Sequence, residues 1–119
     1  MKMAISAQGT ELDSMIDPRF GRAKYFILFD LETNTHKSVE NIQNLNATQG
    51  AGIQSASLIA KEEVEAVITG HCGPKAFVVL NKAKIKVFIK DGITVKEAIS
   101  LFKKNKIVEI KEANVEGHW

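Results

Sequence analysis

Ala66-Val67-Ile68-Thr69-Gly70-His71-Cys72-Gly73-Pro74 is the stretch on which the fold turns. A short run of β-prone residues stops at a glycine, and a proline follows where it suits the first turn of a helix. The helix so begun carries Phe77 and Leu80 inward and leads to a second strand, Ile85-Lys86-Val87-Phe88-Ile89. After it, Thr94 and Glu97 have the spacing of a capping box, opening a helix with Val95, Ala98, Ile99 and Phe102 on one face and Asn105 at its end. Strand, helix, strand, helix in this rhythm predicts parallel crossovers in an α/β domain.

Toward the N-terminus the pattern changes. Residues 2–7 read as a first strand, and residues 8–23 as a long polar loop broken by Asp17-Pro18 and Gly21. With few apolar anchors besides Met15, Ile16 and Phe20, that loop is expected to be mobile. Tyr25-Phe26-Ile27-Leu28-Phe29-Asp30 reads as a strand buried on both faces, and residues 36–42 as a weaker edge strand. After a polar loop over 43–49, Gly50-Ala51-Gly52 opens a helix whose inner face is Ile53, Ala56, Ala60 and Val64. The order is βββαβαβα: a five-stranded mixed sheet of ribonuclease H-like arrangement, in which strands one, three, four and five are parallel and strand two opposes them. Residues 1–105 form the single domain, and residues 106–119 a charged tail.

Bulk properties narrow the function. The 119 residues are 45% apolar and 25% charged, with 16 basic against 14 acidic side chains and a net charge of +2. That balance argues against a nucleic-acid binder. Nothing approaches the ~18 apolar residues of a membrane span, and Met1-Lys2-Met3-Ala4-Ile5-Ser6 reads as strand rather than secretory leader, so the expected address is the cytoplasm. Cys72 is the only cysteine, which leaves no internal disulfide.

Parallel direction brings chemistry together. The three helices all start at the carboxyl edge of the sheet, the preferred ligand edge of open α/β sheets. Their N-termini offer N–H groups and positive dipole ends to an anion. Gly50 and Gly52 permit close backbone approach, and Arg19 and Arg22 on the loop can clamp oxyanions or anionic clusters. Gly70 and Gly73 flank His71 and Cys72, a nitrogen and a soft sulfur suited to iron, copper or zinc, with the thiolate favoured by its place at a helix start. One cysteine cannot complete a four-ligand site, so a cluster here would be held by few ligands, by a dimer, or by non-covalent contacts. His118 and Trp119 at the C-terminus, and His36, take no assigned role.

Asp13-Ser14, Asp17-Pro18-Arg19-Phe20-Gly21-Arg22-Ala23 and Tyr25-Phe26, with Gly50-Ala51-Gly52, Val67-Ile68-Thr69-Gly70, Gly73-Pro74 and Ile85-Lys86-Val87-Phe88, resemble the dinitrogenase iron–molybdenum cofactor biosynthesis family. That resemblance implies a ribonuclease H-like fold and a cluster ligand. Relatives bind or carry iron–sulfur or molybdenum-containing clusters during nitrogenase cofactor assembly, and one binds a mixed molybdenum–copper sulfide. The expected function is therefore a carrier that holds such a cluster transiently, with cluster-donor or acceptor proteins as partners, as monomer or homodimer. A redox- or anion-sensing module using Cys72 is the alternative. An enzyme is not expected: the first strand and residues 66–70 carry no acid for a two-metal site, and neighbouring His71 and Cys72 lack an orienting third group.

Overall fold

The computed structural model describes residues 1–41 and 50–113. The elements are β1 (Lys2–Ala7), β2 (Tyr25–Asp30), β3 (Thr35–Glu40), α1 (Ala51–Ala60), β4 (Ala66–Thr69), α2 (Pro74–Lys82), β5 (Lys86–Ile89), α3 (Val95–Lys103) and β6 (Val108–Ile110). They build one mixed sheet in the order β3-β2-β1-β4-β5-β6. β1, β4 and β5 are parallel, and β2 runs antiparallel to both β1 and β3, as the sequence predicts.

The sheet has six strands, not five. β6 pairs antiparallel with β5, Val87 opposite Ile110 and Ile89 opposite Val108, inside the segment expected to be a tail. Three residues between charged neighbours carry almost no periodic signal, and a short edge flanked by lysines is a common guard against strand addition. The expected loop over 43–49 and the roles left open for His118 and Trp119 lie outside the described residues.

Strand alternation divides the core in two. Ala4, Phe26, Leu28 and Val67 point to the face covered by α1 and α2, where Ile59 and Leu80 meet them. Met3, Ile5, Ile27 and Ile68 point to the face covered by α3, against Val95, Ala98 and Ile99. β1 and β4 are thus buried on both sides, which explains their uninterrupted apolar runs.

α1 departs from the expected face. Its buried residues are Ala51, Ser55, Ala56 and Ile59, while Ile53 lies on the exposed side and Val64 follows the helix, past a left-handed turn at Glu63. The polar residue facing inward has partners. The Ser55 hydroxyl donates to the Gly21 carbonyl (3.1 Å) and accepts from Asn41 Nδ2 (3.0 Å), which also donates to the Ala23 carbonyl (3.0 Å). An apolar-periodicity search passes over such a position because it is serine. α3 matches its reading: the Thr94–Glu97 capping box forms, and Asn105 ends the helix at φ 56° with the Lys106 N–H returning to the Leu101 carbonyl (2.9 Å).

Candidate functional site

Residues 8–23 form a strap over the carboxyl edge. Ile16 is buried in the α3-side core and Phe20 in the α1–α2 side, its ring 5.2 Å from that of Phe26. The chain therefore crosses the top of the sheet at Asp17-Pro18-Arg19, above the ends of β1 and β4. At the crossing the Asp17 N–H donates to the Ser6 carbonyl (2.9 Å), the Ser6 hydroxyl donates to the Asp17 carbonyl (2.6 Å), and the hydroxyls of Ser6 and Thr69 lie 2.8 Å apart. The Phe20 N–H donates to the His71 carbonyl (3.2 Å), within a short parallel bridge between Arg19 and His71. This loop is anchored along its length, contrary to the expectation from its composition. The anchors are mostly backbone and small hydroxyl groups, which composition does not reveal.

Gly70 explains how the strap sits so close. A Cβ added there would stand 2.8 Å from Pro18 Cα and 2.9 Å from its Cβ and carbonyl oxygen. Gly70 is thus a docking surface for the strap rather than a point of ligand approach.

Cys72 also differs from its reading. It is fully buried in the α1–α2 core beside Phe20, Ala76 and Leu80, and its thiol donates weakly to the Gly73 carbonyl (3.8 Å). Burial pushes the thiol up from the ordinary 9.0 to about 12, opposite to the fall expected at a helix start. The cause is desolvation of the thiolate by burial. Among the described residues no group of three or more His, Cys, Asp or Glu side chains stands ready to ligate a metal ion. His71 is half-buried.

The three helix N-termini are not equivalent. In α3 the first-turn donors are consumed: the Val95 N–H by the Ser14 carbonyl (2.9 Å), Lys96 by Leu12 (2.8 Å), and Glu97 by the Thr94 hydroxyl (3.2 Å). The strap itself caps this helix, so it offers nothing to an anion. α1 and α2 have no side-chain cap at Gly50 or Gly73. Gly50 adopts φ 78°, which L side chains rarely adopt, and its carbonyl accepts from the Gln54 N–H (3.0 Å). Gly52 lies in the first turn of α1, so its backbone belongs to the same donor row. These two helices pack against each other and start at the same edge, leaving two dipole ends adjacent.

Two cations lie beside them. Arg19 is half-exposed, its Nε 3.6 Å from the buried Asp17 carboxylate, which also accepts from the Arg19 N–H (3.1 Å). Arg22 is half-buried next to Gly21, whose carbonyl Ser55 of α1 holds. Arg19, Arg22, Gly50, Gly52, His71 and Gly73 thus belong to one edge. Cys72 sits beneath it and Gly70 under the strap. Such an edge fits a compact anion held by hydrogen bonds and charge. It does not fit a cluster needing four protein ligands.

The fold and sequence have close counterparts. A curated protein of Methanocaldococcus jannaschii, itself uncharacterised, is 35% identical over 109 residues, covering 90% of this chain and 89% of its own. The apo form of the orange protein from Desulfovibrio gigas superposes with a TM-score of 0.93 at 36% identity, over 96% of both chains. An NMR structure from Thermotoga, proposed to be a NifB protein, gives 0.84 at 34% identity over 98% of both. Residues 1–105 match the family described as dinitrogenase iron-molybdenum cofactor, and the chain belongs to that family.

Proposed function

We propose that the carboxyl edge holds an anionic metal–sulfur cluster as transient cargo, and that the protein acts as a carrier linked to assembly of nitrogenase-type cofactors. One observation carries the reading: among the described residues, two neighbouring helix starts without a side-chain cap, those of α1 and α2, lie beside a strap bearing Arg19 and Arg22. Backbone N–H groups at Gly50–Gly52 and at Gly73, Lys75 and Ala76, with the two guanidinium groups, match sulfide and oxide ligands on a cluster's outer face. His71, half-buried beside the strap, is the side chain to which this reading assigns a metal–nitrogen bond. Holding by charge and hydrogen bonds suits a carrier, which must release what it binds. The iron–molybdenum cofactor family supports a ligand of this class, and the description of the orange protein as an apo form supports a bound group of some kind.

A redox sensor built on Cys72 is less well supported, because the thiol is buried and resists ionisation. Hydrolytic chemistry finds little support either, since the nearest acid, Asp17, is buried and committed to Arg19.

The test is anaerobic titration with tetrathiomolybdate, alone and with copper or iron, followed by visible absorption. Arg19→Ala and Arg22→Ala are expected to weaken uptake roughly tenfold each, more at low salt than at high salt. Uptake equal to wild type in both variants refutes the site.

A further inference from the structure

The segment that follows β4 has a different charge character. Residues 71–107 hold nine lysines against two acids, Asp91 and Glu97, a formal excess of seven, whereas residues 1–70 hold six basic and nine acidic side chains. The Glu97 carboxylate is already engaged by Thr94. Among the described residues none of those nine lysines makes an ion pair, and only Lys103 shows a side-chain partner, Asn34. The chain has gathered unneutralised positive charge in one third of its length.

Within this region lies a groove of about 310 Å³ between the C-terminal end of α2 and the β5–β6 edge. Phe77, Ile85 and Ile110 line it, with Lys84 and Lys86 at its lysine side. Glu109, its one acid, is paired with Lys111 at 2.7 Å. The apolar lining continues onto Val108, which is 67% exposed. β6 lies at the edge of the sheet, where Ile110 meets the α1–α2 core and leaves the groove between it and Phe77 and Asn81 of α2.

We infer that this groove docks an acidic, amphipathic peptide segment of a partner protein, with leucine-like side chains on the Phe77–Ile110 floor and carboxylates against Lys84 and Lys86. Charge complementarity selects the acidic partner, and the apolar lining selects a peptide over a bare polyanion. Residues 71–107 contain no arginine, the side chain best suited to phosphate, which further disfavours nucleic acid. The groove borders the start of β5, away from the carboxyl edge, so a partner seated there leaves that edge accessible. This inference stands independently of the cargo proposal.

The experiment selects a displayed library of random peptides, about twelve residues long, against the immobilised full chain. Enriched sequences are expected to alternate Asp or Glu with Leu, Ile or Phe. A synthetic peptide of that consensus should shift the amide resonances of residues 77, 81, 84–87 and 108–111 while leaving 50–53, 73, 75 and 76 unmoved. Reversing charge with Lys84→Glu and Lys86→Glu together should weaken binding roughly tenfold without lowering the melting temperature, since both side chains are exposed. Absence of an acidic consensus, or shifts centred elsewhere, overturns the inference. So does single-stranded DNA that shifts the same amides as tightly, which makes the groove a polyanion site. Peptide binding that requires removal of residues 114–119 overturns it too, by giving the groove to the chain's own C-terminus.

Discussion

Gly70 and Cys72 are two residues apart and constrain the molecule in different ways. Gly70→Ala forces a methyl group into the backbone and ring of Pro18, neither of which can swing aside as a flexible side chain could. Overpacking of this kind costs about 1–3 kcal/mol, expected as a lower urea midpoint with an unchanged slope. Cys72 acts through burial. Its folded-state pKa is raised, so its contribution is fully present below about 9, where both states hold the proton. Above that, the unfolded thiol ionises while the folded one does not, and stability falls by about 1.4 kcal/mol per pH unit until the folded pKa near 12. Unfolding curves between pH 8 and roughly 10.5 should show that slope in wild type and lack it in Cys72→Ala. An identical slope in both proteins would remove the thiol from the account. Cys72→Ser should also destabilise, by about 1–3 kcal/mol, because a hydroxyl replaces a thiol in an apolar site.

At the scale of elements, the strap ties the fold to its candidate site. Its carbonyls at Leu12 and Ser14 cap α3, while its crest bridges Arg19 to His71, just before α2. Hydrogen exchange should read this asymmetry directly. The Asp17, Val95 and Lys96 amides are expected to exchange at least roughly tenfold more slowly than those of Ala51 and Lys75. Ser6→Ala, which removes the hydroxyl that bonds the Asp17 carbonyl, should speed the strap amides and leave those of β1 unchanged. Most elements were legible in the sequence because local rules agreed with the global fold: the Thr94–Glu97 box, Pro74 and the double-sided apolar runs of β1, β2 and β4. What escaped depended on contacts between distant segments. β6 exists through its pairing with β5, and the α1 face turns on a serine bonded to residues more than ten positions away. The candidate site was legible in part. Parallel strand direction brought Arg19, Gly50 and His71 to one edge, but no spacing rule could show that the strap closes off the α3 terminus or that the Cys72 thiol turns inward.

For the whole molecule, the structure separates two surfaces. The carboxyl edge carries the starts of α1 and α2 with Arg19 and Arg22, and the start of β5 borders a groove of different chemistry, lined by Phe77, Ile110, Lys84 and Lys86. In the proposed function α1 and α2, and not α3, form the anion cradle. The direct measurement is a two-dimensional amide NMR titration of the full chain with tetrathiomolybdate under anaerobic conditions. Shifts are expected at the amides of residues 50–53, 73, 75 and 76 and at Arg19 and Arg22, with 94–97 unmoved. Shifts centred on 94–97, or none at the α1 and α2 starts at saturating anion, would contradict it.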